Sequence, residues 1–139
     1  MSEAHKIFSE TQRWLDYARR DLTAAQALIQ SGNEFAPQIC FLCQQAAEKG
    51  LKAALIFLQI DFPFRHDLEL LTTLFPLDWG CSQLSNLSKL TEWAVESRYP
   101  SDLPDPSGED AQLALQKAEE IMTIVLKDLT QHAFPDLGF

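Results

Sequence analysis

The residues best suited to chemistry in this 139-residue chain gather in three places. The first is a polar series inside an oily stretch: Gln38, Gln44, Gln45, Glu48, Lys49, Lys52 and Gln59. At 100° per residue these positions fall within one arc of about 140° on a helix. Glu48 and Lys52 are four residues apart with the acid first, the order that favours pairing along a helix. The preferred reading of them is an ordinary ion pair along the helix, worth roughly a few tenths of a kcal/mol. The other is a phosphate-binding patch, with Lys49 and Lys52 as donors and Arg98 converging on them. The second place is Arg65-His66, where an imidazole can exchange a proton near neutral pH or simply fix a turn through a local hydrogen bond. The third is Arg98-Tyr99-Pro100, in which Tyr99 reads as a packed aromatic in preference to a base-stacking platform.

Two further groups carry competing readings. Asp21 lies in or beside the apolar stripe of the first helical segment, at about the level of Gln44 and Gln45 if the chain folds back near Gly32. A buried carboxylate needs partners, so a polar cross-link between helices is preferred over a catalytic or metal-binding acid. Cys40 and Cys43 form a C-x-x-C pair, with Cys81 as the third cysteine. The pair sits in an apolar helical segment, with no second Cys or His pair for zinc and no preceding strand for a redox motif. All three thiols read as small apolar side chains, and no metal or cofactor is expected.

Helices must position these groups. Trp14, Ala18, Leu22, Ala25 and Ile29 recur at three- and four-residue spacing, predicting a helix from about residue 10 to Gln30, opened by a Ser9/Gln12 capping box and closed by Ser31-Gly32-Asn33. A second helix is predicted from about Phe35 to Leu58, with Pro37 in its first turn. Its apolar face is wide, as suits a central helix with several neighbours. The short connection makes the two an antiparallel hairpin. Asp67 is predicted to cap a short helix carrying Leu68, Leu71 and Leu74. A fourth helix is predicted to start near Ser82, carry Leu84, Leu87, Leu90 and Trp93, and end before Tyr99-Pro100. An acidic, proline-rich loop follows from Pro100 to Pro106. Ser107 with Asp110 then opens the last helix, with Ala111, Ala114, Ala118, Ile121, Val125 and Leu129 inside. The expected architecture is all-α: an up-and-down bundle of four long helices plus one short one, a single domain over 1–139 with its core at about 8–130.

On that layout four motifs resemble the HEPN domain family. They are Trp14…Ala18…Asp21-Leu22; the run from Gln44 to Ala53, similar to a "QxAEKxLKA" pattern; His66-Asp67-Leu68; and Arg98-Tyr99-Pro100. The resemblance implies a helical bundle that commonly dimerises, is often paired with a small nucleotidyltransferase in a toxin–antitoxin-like arrangement, and binds nucleotide or RNA. Ribonuclease members place four to six residues between an Arg and a His. No Arg here stands at that distance before His5, His66 or His132. The resemblance therefore implies a noncatalytic binding or interaction module, a homodimer, with Gln45, Glu48, Lys49, Lys52, His66, Arg98 and Tyr99 as the nucleotide- or phosphate-binding set. The alternative is a divergent ribonuclease using Arg98, His66 and Glu48.

Charge narrows the classes further. Eleven Lys/Arg against twenty Asp/Glu leave −9, and residues 67–139 hold thirteen of the acids but four of the bases. Such a surface repels phosphate backbones, which argues against broad nonspecific nucleic-acid binding. No apolar run is long enough to span a bilayer, and residues 1–10 lack the oily core of a secretion signal, so the expected location is cytoplasmic.

Overall fold

A computed structural model describes residues 2–96, 104–132 and 134. Five α-helices order the chain: α1 (Glu3–Leu28), α2 (Ala36–Phe57), α3 (Leu68–Thr73), α4 (Ser88–Glu96) and α5 (Gly108–Gln131). Short 3-10 turns occupy Ile29–Ser31, Asn33–Phe35 and Gly80–Gln83. No strand occurs among the described residues, and no helix there is long and apolar enough to cross a membrane.

α2 is the centre of the bundle, packing against α1, α5, α4 and α3. The sequence supplies the means: Ala46, Ala47, Gly50, Ala53 and Ala54 keep its surface low, and all are buried. The ideal Cβ position of Gly50 lies 2.5 Å from the Met122 sulfur, so the Met122 side chain of α5 packs into space that a larger residue would occupy. Leu51, Leu55, Leu15, Ile121, Val125 and Leu129 fill the space around it, each fully buried. Every such aliphatic side chain removed from water contributes about 1.5–3 kcal/mol.

Local signals set most of the element ends. Gly32 turns the chain between α1 and α2 at φ 115°, where a Cβ is unfavourable. Asp67 accepts a hydrogen bond from the Leu70 amide and starts α3. Ser107 and Asp110 exchange both bonds of a capping box and start α5. α2 ends in a Schellman arrangement: the Ile60 amide donates to Leu55 O at 2.9 Å and the Gln59 amide to Ile56 O at 3.0 Å. Gln59 occupies the left-handed position of that motif at φ 58°.

Two predicted starts are corrected. α1 begins at Glu3, capped by Ser2, so Ser9 and Gln12 lie inside the helix and form no capping box. Phe8 explains the extension: it stacks on Phe57 at 6.3 Å and meets Phe134 edge to face at 5.5 Å, which ties the first turns down. The fourth helix begins at Ser88, not near Ser82. Residues Gly80–Gln83 form a separate 3-10 turn, and Asn86 at φ 61° interrupts the right-handed path. Of the core positions assigned to this region, Leu87, Leu90 and Trp93 are buried, while Leu84 lies before the helix and is partly buried against the core. Arg98, Tyr99 and Pro100 to Leu103 lie outside the described residues, as does most of the tail after His132.

Candidate functional site

Gln44, Glu48 and Lys52 stand one turn apart along α2 and form a ridge that the rest of the fold covers. Gln44 is fully buried, Glu48 4% exposed and Lys52 6%. Burial of an ionic ridge demands partners, and each charged group has them. Glu48 Oε2 accepts from Lys52 Nζ at 3.0 Å. Glu48 Oε1 accepts from His66 Nδ1 at 2.8 Å and from Gln44 Nε2 at 3.3 Å. The same Gln44 amide reaches the His66 backbone carbonyl at 3.4 Å. The Lys52 ammonium also lies 5.2 Å from the Phe62 ring centre and 6.0 Å from that of Trp14, within cation–π range.

The helical ion pair expected for Glu48 and Lys52 is present. The pair is interior, because the loop after α2 folds back over it, carrying Phe62 and His66. Removing one partner of a buried pair costs about 3–5 kcal/mol, an order of magnitude more than at the surface. Gln44, counted in the polar arc but left out of the candidate set, bridges the carboxylate and the loop backbone beside the direct His66 contact. Its side-chain oxygen and the Gln45 side-chain nitrogen are buried with no hydrogen-bond partner among the described residues.

His66 is the outlet of the cluster. A carboxylate only accepts, so Nδ1 carries the hydrogen of the Glu48 contact, and Nε2 is the nitrogen left over. The His66 side chain is 50% exposed. Beside it Arg65 is exposed, and Phe64 projects fully into solvent. The site therefore has a charge-neutral buried base, Glu48 with Lys52, and a wet rim of imidazole, guanidinium and phenyl.

Lys49 is drawn elsewhere. Its Nζ sits 2.6 Å from Asp21 Oδ2, joining α2 to α1, and 5.9 Å from the Tyr17 ring centre. Asp21 is thus a polar cross-link between helices, the reading preferred from its place in the sequence. The structure brings together Glu48, Lys52 and His66, and adds Gln44. It leaves Lys49 in a separate contact, and Arg98 and Tyr99 lie outside the described residues.

A second buried acid escaped the sequence reading. Asp128 on α5 is 4% exposed and accepts from the Gly80 and Cys81 amides, both at 2.8 Å. The signal was present: Asp128 falls three residues after Val125, on the core stripe of α5. Nearby, His132 stacks on Trp79 with ring centres 4.3 Å apart, and its Nδ1 donates to the Asp128 carbonyl at 2.8 Å.

The cysteines are free and buried. Burial pushes the Cys40 thiol up to about 12, with the Asp110 charge adding to it. Cys43 is likewise pushed up to about 12 by burial, then by Cys40 and Glu119. Cys81 is raised by burial and by the hydrogen bond and charge of Asp128. Thiols held protonated are poor nucleophiles and poor metal ligands. Among the described residues, no group of three or more His, Cys, Asp or Glu side chains is placed to hold a metal ion.

The family model for the HEPN domain matches residues 11–129. Two solved structures are similar. TT1696 from Thermus thermophilus is 25% identical with a TM-score of 0.74, over 86% of this chain and 98% of that one. ST0689, described as an archaeal HEPN homologue, is 27% identical with a TM-score of 0.63, over 85% of this chain and 96% of that one. No curated protein matches the chain significantly. With the match covering most of its length and the bundle shared with both solved structures, the chain belongs to the HEPN domain family.

Proposed function

We propose that this chain is a noncatalytic HEPN module that binds a phosphate-bearing ligand, a nucleotide or RNA, as a homodimer working with a nucleotidyltransferase partner. One observation carries the noncatalytic part. No Arg stands four to six residues before a His in the chain, and Glu48, the carboxylate of the alternative set, already has both oxygens hydrogen-bonded inside the fold. The ligand contact then belongs to the rim, where His66 and Arg65 offer donors and Phe64 an exposed ring. Lys52 supports that rim from behind and does not itself reach a ligand.

A calorimetric screen of nucleotides and short RNA against wild type and His66→Ala tests this reading. Loss of binding in the variant supports it, and no binding to either refutes it. His66→Ala is a cleaner probe than Lys52→Ala, which strands a buried carboxylate. Light scattering at micromolar concentration checks the dimer, and a monomer mass counts against it.

One observation favours the ribonuclease alternative. The Glu48 contact takes up Nδ1 of a half-exposed His66 ring and leaves Nε2 as the nitrogen that could serve as a general base. RNA cleavage by wild type, abolished in His66→Ala, would replace the binding reading with that one.

A further inference from the structure

A groove of ≈ 500 Å³ runs along the exposed side of α1, away from Glu48 and His66. Phe8, 36% exposed, forms its apolar end, backed by the buried Phe134 ring. Tyr17, 43% exposed, lies towards the other end. The Arg20 guanidinium lies 5.0 Å from the Tyr17 ring centre and that of Arg13 6.0 Å. From Phe8 to Arg20 the helix rises about 18 Å, at 1.5 Å per residue.

Charge around the groove is nearly balanced, with one exception. Glu10 lies 3.5 Å from Arg13, Asp16 lies 2.9 Å from Gln12 and 3.8 Å from Arg19, and Asp21 is paired with Lys49. Arg20 has no ion pair among the described residues, and neither does the Tyr17 hydroxyl have a hydrogen bond there. The groove thus offers one unmatched guanidinium stacked on an exposed aromatic ring, and an apolar seat about three turns away.

That pattern selects among ligands. Nucleic-acid affinity grows with the number of phosphates neutralised, and a single spare cation supplies little of it, whereas it suffices for one carboxylate. An anionic membrane is disfavoured on the same ground. A polypeptide that presents an apolar side chain and a carboxylate on one face uses every feature. Tyr and Arg are also the side chains that most often dominate protein interfaces.

We propose that the α1 groove is a docking surface for an acidic, amphipathic segment of a partner protein. The apolar side chain of that segment packs on Phe8, and its carboxylate meets Arg20 over Tyr17. This surface is separate from the Glu48–His66 site and stands whether or not that site takes a ligand.

The test is a selection of displayed peptides, about four helical turns long, on the full chain. Tyr17→Ala/Arg20→Glu is the counter-target, with Arg20→Glu alone carrying the same readout should the double variant lose its helical circular dichroism. The expected result is enrichment of peptides with an apolar anchor and acidic residues, binding the variant at least about tenfold more weakly in fluorescence anisotropy. Arg20→Lys keeps part of that affinity, and His66→Ala keeps all of it, which separates this surface from the other site. No enrichment, enrichment of peptides without acidic residues, or equal binding to the variants overturns the proposal. So does Arg20-dependent binding of a single-stranded RNA oligonucleotide or of phosphatidylserine vesicles, which assigns the face to a different ligand.

Discussion

Glu48 and Asp128 are both interior carboxylates, each 4% exposed, yet they are satisfied in opposite ways. Asp128 is held chiefly by backbone: two amides of the Gly80–Gln83 turn point at its two oxygens, with the Cys81 thiol beside them. Glu48 is held entirely by side chains, a cation, an amide and an imidazole, and one of these reaches water. A carboxylate locked to main chain serves the fold and ends there. One locked to side chains transmits a geometry outward, here to the exposed ring of His66. The difference separates a structural acid from one that shapes a surface site.

Breaking each cluster should rank them. Lys52→Ala leaves Glu48 buried without its cation and is expected to lose about 3–5 kcal/mol of stability in urea denaturation. Adding Glu48→Gln to it should recover much of that loss, and a double variant as unstable as Lys52→Ala would show that packing, not charge, dominates. Asp128→Ala leaves two amides unpaired and is expected to cost about 3 kcal/mol, with Asp128→Asn closer to wild type. If Asp128→Ala proved harmless, the turn after Trp79 would be held by its aromatic contacts alone.

Alkaline pH, read against a Cys81→Ala control, probes the Asp128 end. The Cys81 thiol is raised above its ordinary value of 9.0 by burial and by Asp128, so the folded state keeps its proton where the unfolded chain loses it. The resulting stability is fully present below about pH 9 and declines as pH rises beyond it. Cys40 and Cys43, each pushed up to about 12, act with the same sign. Melts of wild type and Cys81→Ala from pH 7 upward should therefore converge above pH 9. A constant gap would place the thiol titration elsewhere.

The smallest expected effect is on stability in His66→Ala, under about 1 kcal/mol, because Glu48 keeps Lys52 and Gln44. A loss as large as that of Lys52→Ala would show that His66 holds the loop in place and is more than a rim residue.

Much of the frame was legible from spacing alone. Ala111, Ala114, Ala118, Ile121, Val125 and Leu129 repeat at helical intervals and are all buried on α5. Asp67 and Ser107-Asp110 announced their helix starts, because a cap is decided within three residues. Where partners were remote the reading failed. Ser9 and Gln12 matched a capping pattern, but Phe8 packing against Phe57 and Phe134 carried α1 past them.

The candidate site shows the same division. The polar ridge of α2, with Glu48 and Lys52 one turn apart, followed from the sequence, since helical geometry depends only on spacing. Whether that ridge met water did not. The loop bearing Phe62 and His66 folds over it, and the Gly80–Gln83 turn waits on an acid 48 residues away. Periodicity sees which side chains share a face of one helix. What covers that face is decided by segments distant in the chain, and so by the tertiary structure alone.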